Sequence, residues 1–508
     1  MESDNRRIAK NTIFLYFRTV LMILVNLYSS RVILQALGVS DFGLYGAIGS
    51  IVAMFTIING SLSAGTSRFL TFELGKGNAE KLKKTFNASL VMHTAMAALL
   101  LVLMETVGLW FVNNKMNIPQ GRELAANVVY QMSILTCMFT LTQVPYSATI
   151  ISHEKMNIYA YVGLAQAFFQ LALVSFLLYI PFKDNLIAYA IMLALWSIVL
   201  QIFYRLYCYR RFQETHLTLC REKSIYKSML SYSMWDTIGA FCSTGNSQGV
   251  NILINMFFGV AVNAARAIAY QVESAINQLA NNFTISVNPQ IVKSYARGDL
   301  KRFFQLIYEA GRYSYFLMFM AACPLWLEAD YVLRLWLVNV PEYTVLFLRF
   351  IIAIAMFRIF SQSIIKGVHA TGNVKVLNLT SGVYSVVSFI PLVYLAFKLG
   401  FPVWSCFVIL SFNAVICTAF EIRALYKQVK FNVLDYILRV YIRSILVTTL
   451  SALFPILVVA LMEESFLRLL TTTLVSTISL CVCIYFWGID KSLRKKVNQI
   501  FKNKILKW

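Results

Sequence analysis

Apolar stretches of about 20 residues, long enough to cross a bilayer core as a helix, recur roughly fourteen times along these 508 residues. No long polar segment separates them, and 59% of positions are hydrophobic. Inside a bilayer no water is present to bond an open backbone, so each stretch must close its own hydrogen bonds as a helix. The expected fold is an all-α polytopic membrane protein with about fourteen transmembrane helices. The expected spans are 11–34, 42–65, 86–112, 124–150, 157–180, 185–208, 228–258, 261–290, 304–327, 343–365, 374–397, 402–422, 437–460 and 466–488.

Charge tests this division independently, because hydropathy places the loops without regard to sign. With the N-terminus inside, the inner segments hold 33 of the 45 Lys and Arg residues. The outer segments hold six, namely Lys115, Arg122, Lys183, Arg334, Lys398 and Arg468. Such a bias predicts that both termini are cytoplasmic and the number of spans even. The net charge of +22 is then mainly a topology signal, and no soluble basic domain exists to hold nucleic acid. The first span carries Arg18 and Arg31 and lacks a small-residue cleavage site, so it reads as a retained helix. The nine cysteines are scattered without a CxxC pair, which argues against a disulfide framework or a zinc site.

The chain repeats itself once. Gly38 in LGVSDFG and Gly259 in FFGVAVNA are 221 positions apart, as are Gly77 and Gly298. Flanking chemistry agrees: Lys76-Gly77-Asn78 stands against Arg297-Gly298-Asp299, and TIISHEKMN recurs as GVHATGNVK at an offset near 220. Six spans per copy make the repeat parallel, with an axis along the membrane normal and a cleft between two bundles. The expected domains are a six-helix bundle at 1–208, a basic cytoplasmic linker at 209–227 and a second bundle at 228–425. Two additional helices at 426–488 and a basic tail at 489–508 complete the chain.

The segment RVILQALGVSDFGLYG, an RxxLxxLGxxDFGLYG pattern, ends span one and opens span two, and GTSRFLTFELGKGN follows span two. In these residues the chain resembles polysaccharide flippases of the multidrug/oligosaccharidyl-lipid/polysaccharide (MOP, MATE-like) exporter superfamily, of the O-antigen and capsule repeat-unit type. The layout is similar over roughly residues 5–490. The resemblance implies six plus six core helices and a lipid-linked oligosaccharide as substrate. It further implies a bacterial cytoplasmic (inner) membrane location, and a polysaccharide polymerase and chain-length protein as partners. No cofactor is implied, and a functional monomer is expected because each chain holds both halves.

Charges inside spans are costly, so each is a candidate for function. Arg18, Arg31, Arg266, Arg312 and Arg358 would make a cationic lumen suited to bidentate phosphate contacts. In span eight Arg266, Tyr270, Glu273, Asn277, Asn281, Thr284 and Asn288 recur every three or four residues and share one helical face. That face reads either as a lumen stripe, with Tyr270, Asn277 and Asn281 prominent, or as interhelical hydrogen bonding. Asp236 and Glu273 are candidates for a gate or for coupling to H+ or Na+; Arg18 and Asp236 lie at matching depths of corresponding spans. In span seven STGNSQGVNILIN places Gly245 and Gly249 among amides, which reads as a helix break or as close helix packing.

Three functions compete: flipping of a polyprenyl-pyrophosphate-linked oligosaccharide, cation-coupled multidrug export, and an integral membrane enzyme. The arginine excess disfavours a site for cationic drugs. Short outer loops and one histidine well inside a span, His93, disfavour an enzyme, and no catalytic or metal-ligating residue is assigned.

Overall fold

The computed structural model describes residues 57–489 apart from 115, 117, 119, 180–182, 219, 338 and 339, together with part of the stretch 12–52 and with Arg494 and Asn498. Everything regular in the described residues is helical. In order the helices are α1 (Ile57–Lys76), α2 (Ala79–Asn114), α3 (Glu123–Ser152), α4 (Met156–Tyr179) and α5 (Asn185–Arg211). Then come α6 (Lys223–Phe258), α7 (Val260–Ala296), α8 (Leu300–Leu327), the short α9 (Ala329–Trp336) and α10 (Thr344–Thr371). The last four are α11 (Lys375–Lys398), α12 (Ser405–Val429), α13 (Val433–Leu461) and α14 (Phe466–Gly488).

Among the described residues nine helices are apolar enough to cross a membrane, and α8 with α9 forms a tenth candidate bent by 82°. The other three long helices, α1, α6 and α7, are more polar. With the partly described stretch 12–52, these helices accommodate the fourteen expected spans. Several helices outrun the expected spans, and two of the differences have a plain physical reason. The second span continues as α1 to Lys76, because no residue stops the helix before Gly77. The expected outer loop from Glu328 to Glu342 contains α9, which buries Ala329 and Leu333 and leaves Asp330 and Arg334 exposed.

The repeated glycines share a backbone conformation. Gly38 and Gly259 have φ of +75° and +84°, and Gly77 and Gly298 have +71° and +76°. Each is left-handed, which costs glycine little and other residues more. Gly77 N–H donates to Leu74 O, and Asn78 N–H to Glu73 O; Gly298 and Asn78's counterpart Asp299 do the same to Tyr295 O and Ser294 O. The two copies thus end α1 and α7 by one device, which is why the glycines sit at one offset.

The helices form two compact units: 1–240 with 288–299 and 372–375, and 241–287 with 300–371 and 376–508. In the first unit, α3 packs along α5 and also against α1 and α2. The second unit packs α8 on α10 and α10 on α12, with α13 and α14 laid on each other and on α8. The last two helices are fastened by a buried pair, Arg468 to Glu328 at 2.7 Å, with Thr472 donating to the same carboxylate at 3.2 Å.

One polar knot ties the first unit together at the ends of its helices. Arg122, ahead of α3, bonds Asp41 of the DFG sequence and reaches Asp184 at 2.7 Å. Asp184 in turn caps α5 by accepting from the amides of Leu186 and Ile187. Partial burial would raise the Asp184 carboxyl, but the Arg122 bonds and the two amides hold it below the ordinary carboxylate range. Its contribution is therefore present above pH 3.8 and lost as pH falls through the lowered folded value. Arg122→Ala should destabilise the purified protein by about 1–3 kcal/mol at neutral pH. In thermal unfolding the wild-type and variant curves should converge as the buffer is taken below pH 3.8.

Candidate functional site

The polar face of α7 begins with Arg266, which is 4% exposed. Its guanidinium lies 4.4 Å from the ring centre of Tyr270, one turn on, and donates to the side-chain carbonyl of Asn251 and to Ser247 O at 3.5 Å. Among the described residues no carboxylate lies within ion-pair distance, and Nε has no acceptor. Arg266 and Tyr270 line a cavity of about 170 Å³ with Asn246, Ser247, Cys406 and Phe407. The cavity thus brings together a buried cation, an amide and aromatic rings.

Further along α7 the stripe changes character. Glu273 accepts from Asn277 and has no basic partner among the described residues. Asn281 is half-buried, while Thr284 is buried and meets Ser314 of α8 at 3.4 Å. The Arg266 end of the stripe lines a cavity, and the Thr284 end makes a contact between helices.

The other in-span arginines fall into different surroundings. Arg358 is paired: Nη1 reaches Glu421 Oε1 at 3.1 Å, and Ser381 donates to the same oxygen at 2.9 Å. Arg312 is buried, with its guanidinium 5.2 Å from the Tyr313 ring centre. Arg18 is half-buried; it lies 4.6 Å from the Tyr159 ring centre, in space left by Gly163 of α4. Among the described residues no ion pair joins Arg18 to Asp236, which is half-buried on α6. Arg31 lies outside the described residues.

Helix α6 runs unbroken through Gly245 and Gly249. A Cβ at Gly249 would fall 2.6 Å from Ile390 Cδ1, so this glycine serves close packing against α11 and not a break. Asn246 of the same segment donates to Ser385 at 3.0 Å. Within the first unit a second cavity, about 350 Å³, is lined by Tyr45, Asn59, Ser133, Thr136, Cys137 and Thr140 and carries no formal charge. Ser133, Thr136 and Thr140 each donate to a backbone carbonyl one turn back, which leaves oxygen lone pairs for a ligand.

Sequence reasoning missed Glu421, Asn251 and Glu154. Glu421 sits at the edge of an apolar run, where a carboxylate reads as a loop boundary. Asn251 was visible in the STGNSQGVNILIN segment, but only folding brings it to Arg266. Glu154 lies in a turn that the sequence treats as loop.

No family model matches the sequence. No curated protein matches it either. Solved structures do match in shape. A MATE structure in the straight conformation superposes with a TM-score of 0.73 at 12% identity, covering 84% of this chain and 96% of that one. The chain has the MATE fold. An outward-facing multidrug resistance MATE transporter of the MOP superfamily gives 0.71 at 12% identity, covering 84% and 96%. A MOP superfamily transporter from Pyrococcus furiosus, described as having a binding pocket of reversed polarity, gives 0.68 at 13% identity, covering 84% and 97%.

The paired and the unpaired arginine are separable by second-site neutralisation. Arg358→Met should destabilise by about 3 kcal/mol, because it strands the buried Glu421, and Glu421→Gln in the same chain should restore most of that loss. Arg266→Met should not be rescued by Glu273→Gln. Thermal unfolding in detergent measures both.

Proposed function

We propose that this protein is a membrane transporter that flips a polyprenyl-pyrophosphate-linked oligosaccharide by alternating access, from the cytoplasmic to the outer leaflet of a bacterial inner membrane. The observation that carries the reading is Arg266, a buried guanidinium that lines a cavity with no carboxylate to neutralise it. A permanent cation so placed favours an anionic visitor, and its planar fork suits phosphate oxygens. Arg18, half-buried against Tyr159, is a second cation without a carboxylate partner among the described residues, in the other compact unit. The uncharged, hydroxyl-lined cavity by Tyr45 and Asn59 offers the oxygen donors and acceptors and the ring face that sugars use. The MATE fold supports transport, and the Pyrococcus furiosus neighbour, whose reversed pocket polarity is described as suggesting a different function, supports a substrate other than a cationic drug.

In this reading both termini are cytoplasmic, the chain acts as a monomer without cofactor or catalysis, and a polysaccharide polymerase uses the flipped unit. Asp236 and Glu273 are the sites for an H+ or Na+ coupling ion. A second reading is cation-coupled multidrug export, favoured by Glu273, whose carboxylate meets only an amide, and by the multidrug resistance neighbour.

In a cell that depends on this protein for its surface polysaccharide, Arg266→Ala should lower surface polymer about tenfold or more, equivalent to ~1.4 kcal/mol. Arg266→Lys should recover only part, since an ammonium lacks the fork. Gly163→Val should act like an Arg18 mutation, because the new side chain occupies the guanidinium's space. Normal polymer in all three variants, with resistance to cationic drugs lost in Glu273→Gln, would favour the export reading.

A further inference from the structure

The first compact unit contains a contact between the two repeats that the transport sites do not use. Glu154 lies in the turn after α3, and its side chain is 0% exposed. Gln290 and Lys293, near the end of α7, both donate to its carboxylate at 2.6 Å. Glu154 has φ of +59°, a left-handed conformation that a residue with a side chain adopts at a cost. In the second repeat the matching turn places Gly372 there, with φ of +85°. Glycine would suit the backbone at both turns, so the carboxylate is present for its contact and not for the turn.

Around this pair the helix ends meet with almost no side chain between them. A Cβ on Gly75 of α1 would lie 2.8 Å from Ala296 Cβ and 2.9 Å from Lys293 Cα. Arg297 Nε donates to Gly75 O at 3.3 Å. Gly75 and Ala296 are themselves 221 positions apart, so the relation between the repeats passes through this seam. The reciprocal contact is also made: Arg68 of α1 packs directly on Gly372, the counterpart of Glu154.

A dry carboxylate with a Lys partner only 14% exposed is costly to desolvate and returns that cost only while the geometry holds. Once the helix ends part by a few ångströms, water solvates both ions. Closed and dry or open and wet are then the two stable arrangements, and a half-open one is poor. We propose that Glu154 and Lys293, with the Gly75–Ala296 seam, form a latch that holds the repeats together on the side of the basic loops and opens in each transport cycle. The proposal rests on the reading of the chain as a transporter but not on its substrate, so its test uses the purified protein alone.

Spin labels at Lys155→Cys and Asp299→Cys, both exposed positions, report the distance across the latch. The exposed Cys481 and half-exposed Cys242 are replaced in that background. The unmodified latch should give predominantly one short distance. Glu154→Gln should add a population longer by about 5 Å or more, the scale of one helical turn. Gly75→Val, which wedges the seam without touching either charge, should do the same and carries the test should Glu154→Gln fail to fold. If the variants that fold keep the single short distance, the contact is a fixed joint and the latch is wrong.

Discussion

A charge inside a bilayer must meet an opposite charge, water or a ligand, and that requirement organises this protein. Several enclosed carboxylates, in the spans and at the helix ends, are settled by internal cations. Arg358 is held by Glu421, Arg468 by Glu328 and Lys293 by Glu154, and each of these carboxylates is nearly or fully enclosed. Each pair joins segments far apart in sequence, so the ion pairs act as rivets between helices whose apolar faces would otherwise slide in lipid. Against that background Arg18 and Arg266 stand out, since both rest on tyrosine rings without a carboxylate within reach among the described residues. Cation–π contact relieves part of the cost of a buried guanidinium and leaves its edge available. The functional reading follows from that remainder.

What the sequence disclosed, it disclosed through periodicity. Spans were legible because a lipid-facing helix must be apolar for about 20 residues. The α7 stripe was legible because a 3.6-residue repeat puts Arg266, Tyr270 and Glu273 on one face. The repeat showed itself through Gly77 and Gly298 because a left-handed helix end selects glycine at both copies. Partnership was not legible. Arg358 and Glu421 are 63 residues apart, and Glu154 and Lys293 are 139 apart. No local pattern records such a pairing, so five arginines looked alike as lumen candidates until folding paired Arg358. The glycines of α6 were ambiguous for a related reason: a break and a close packing contact select the same residue, and only Ile390 beside Gly249 decides.

The two cavities divide chemistry between the compact units. One offers hydroxyls, an amide and a tyrosine without charge; the other offers a guanidinium with amides and rings. The polar composition of α6 and α7, which keeps them outside the nine apolar helices, is the cost of supplying Asn246, Asn251 and Arg266 from within a membrane. Lipid-facing helices could not carry those residues.

The most direct test is binding to the purified protein in detergent, comparing a polyprenyl pyrophosphate with the uncharged polyprenol of the same chain length. The account predicts that the pyrophosphate lipid binds more tightly than the alcohol, and that the difference shrinks in Arg266→Ala and again when Arg18→Ala is added. Equal binding of the two lipids, or a difference that survives both substitutions, would contradict it.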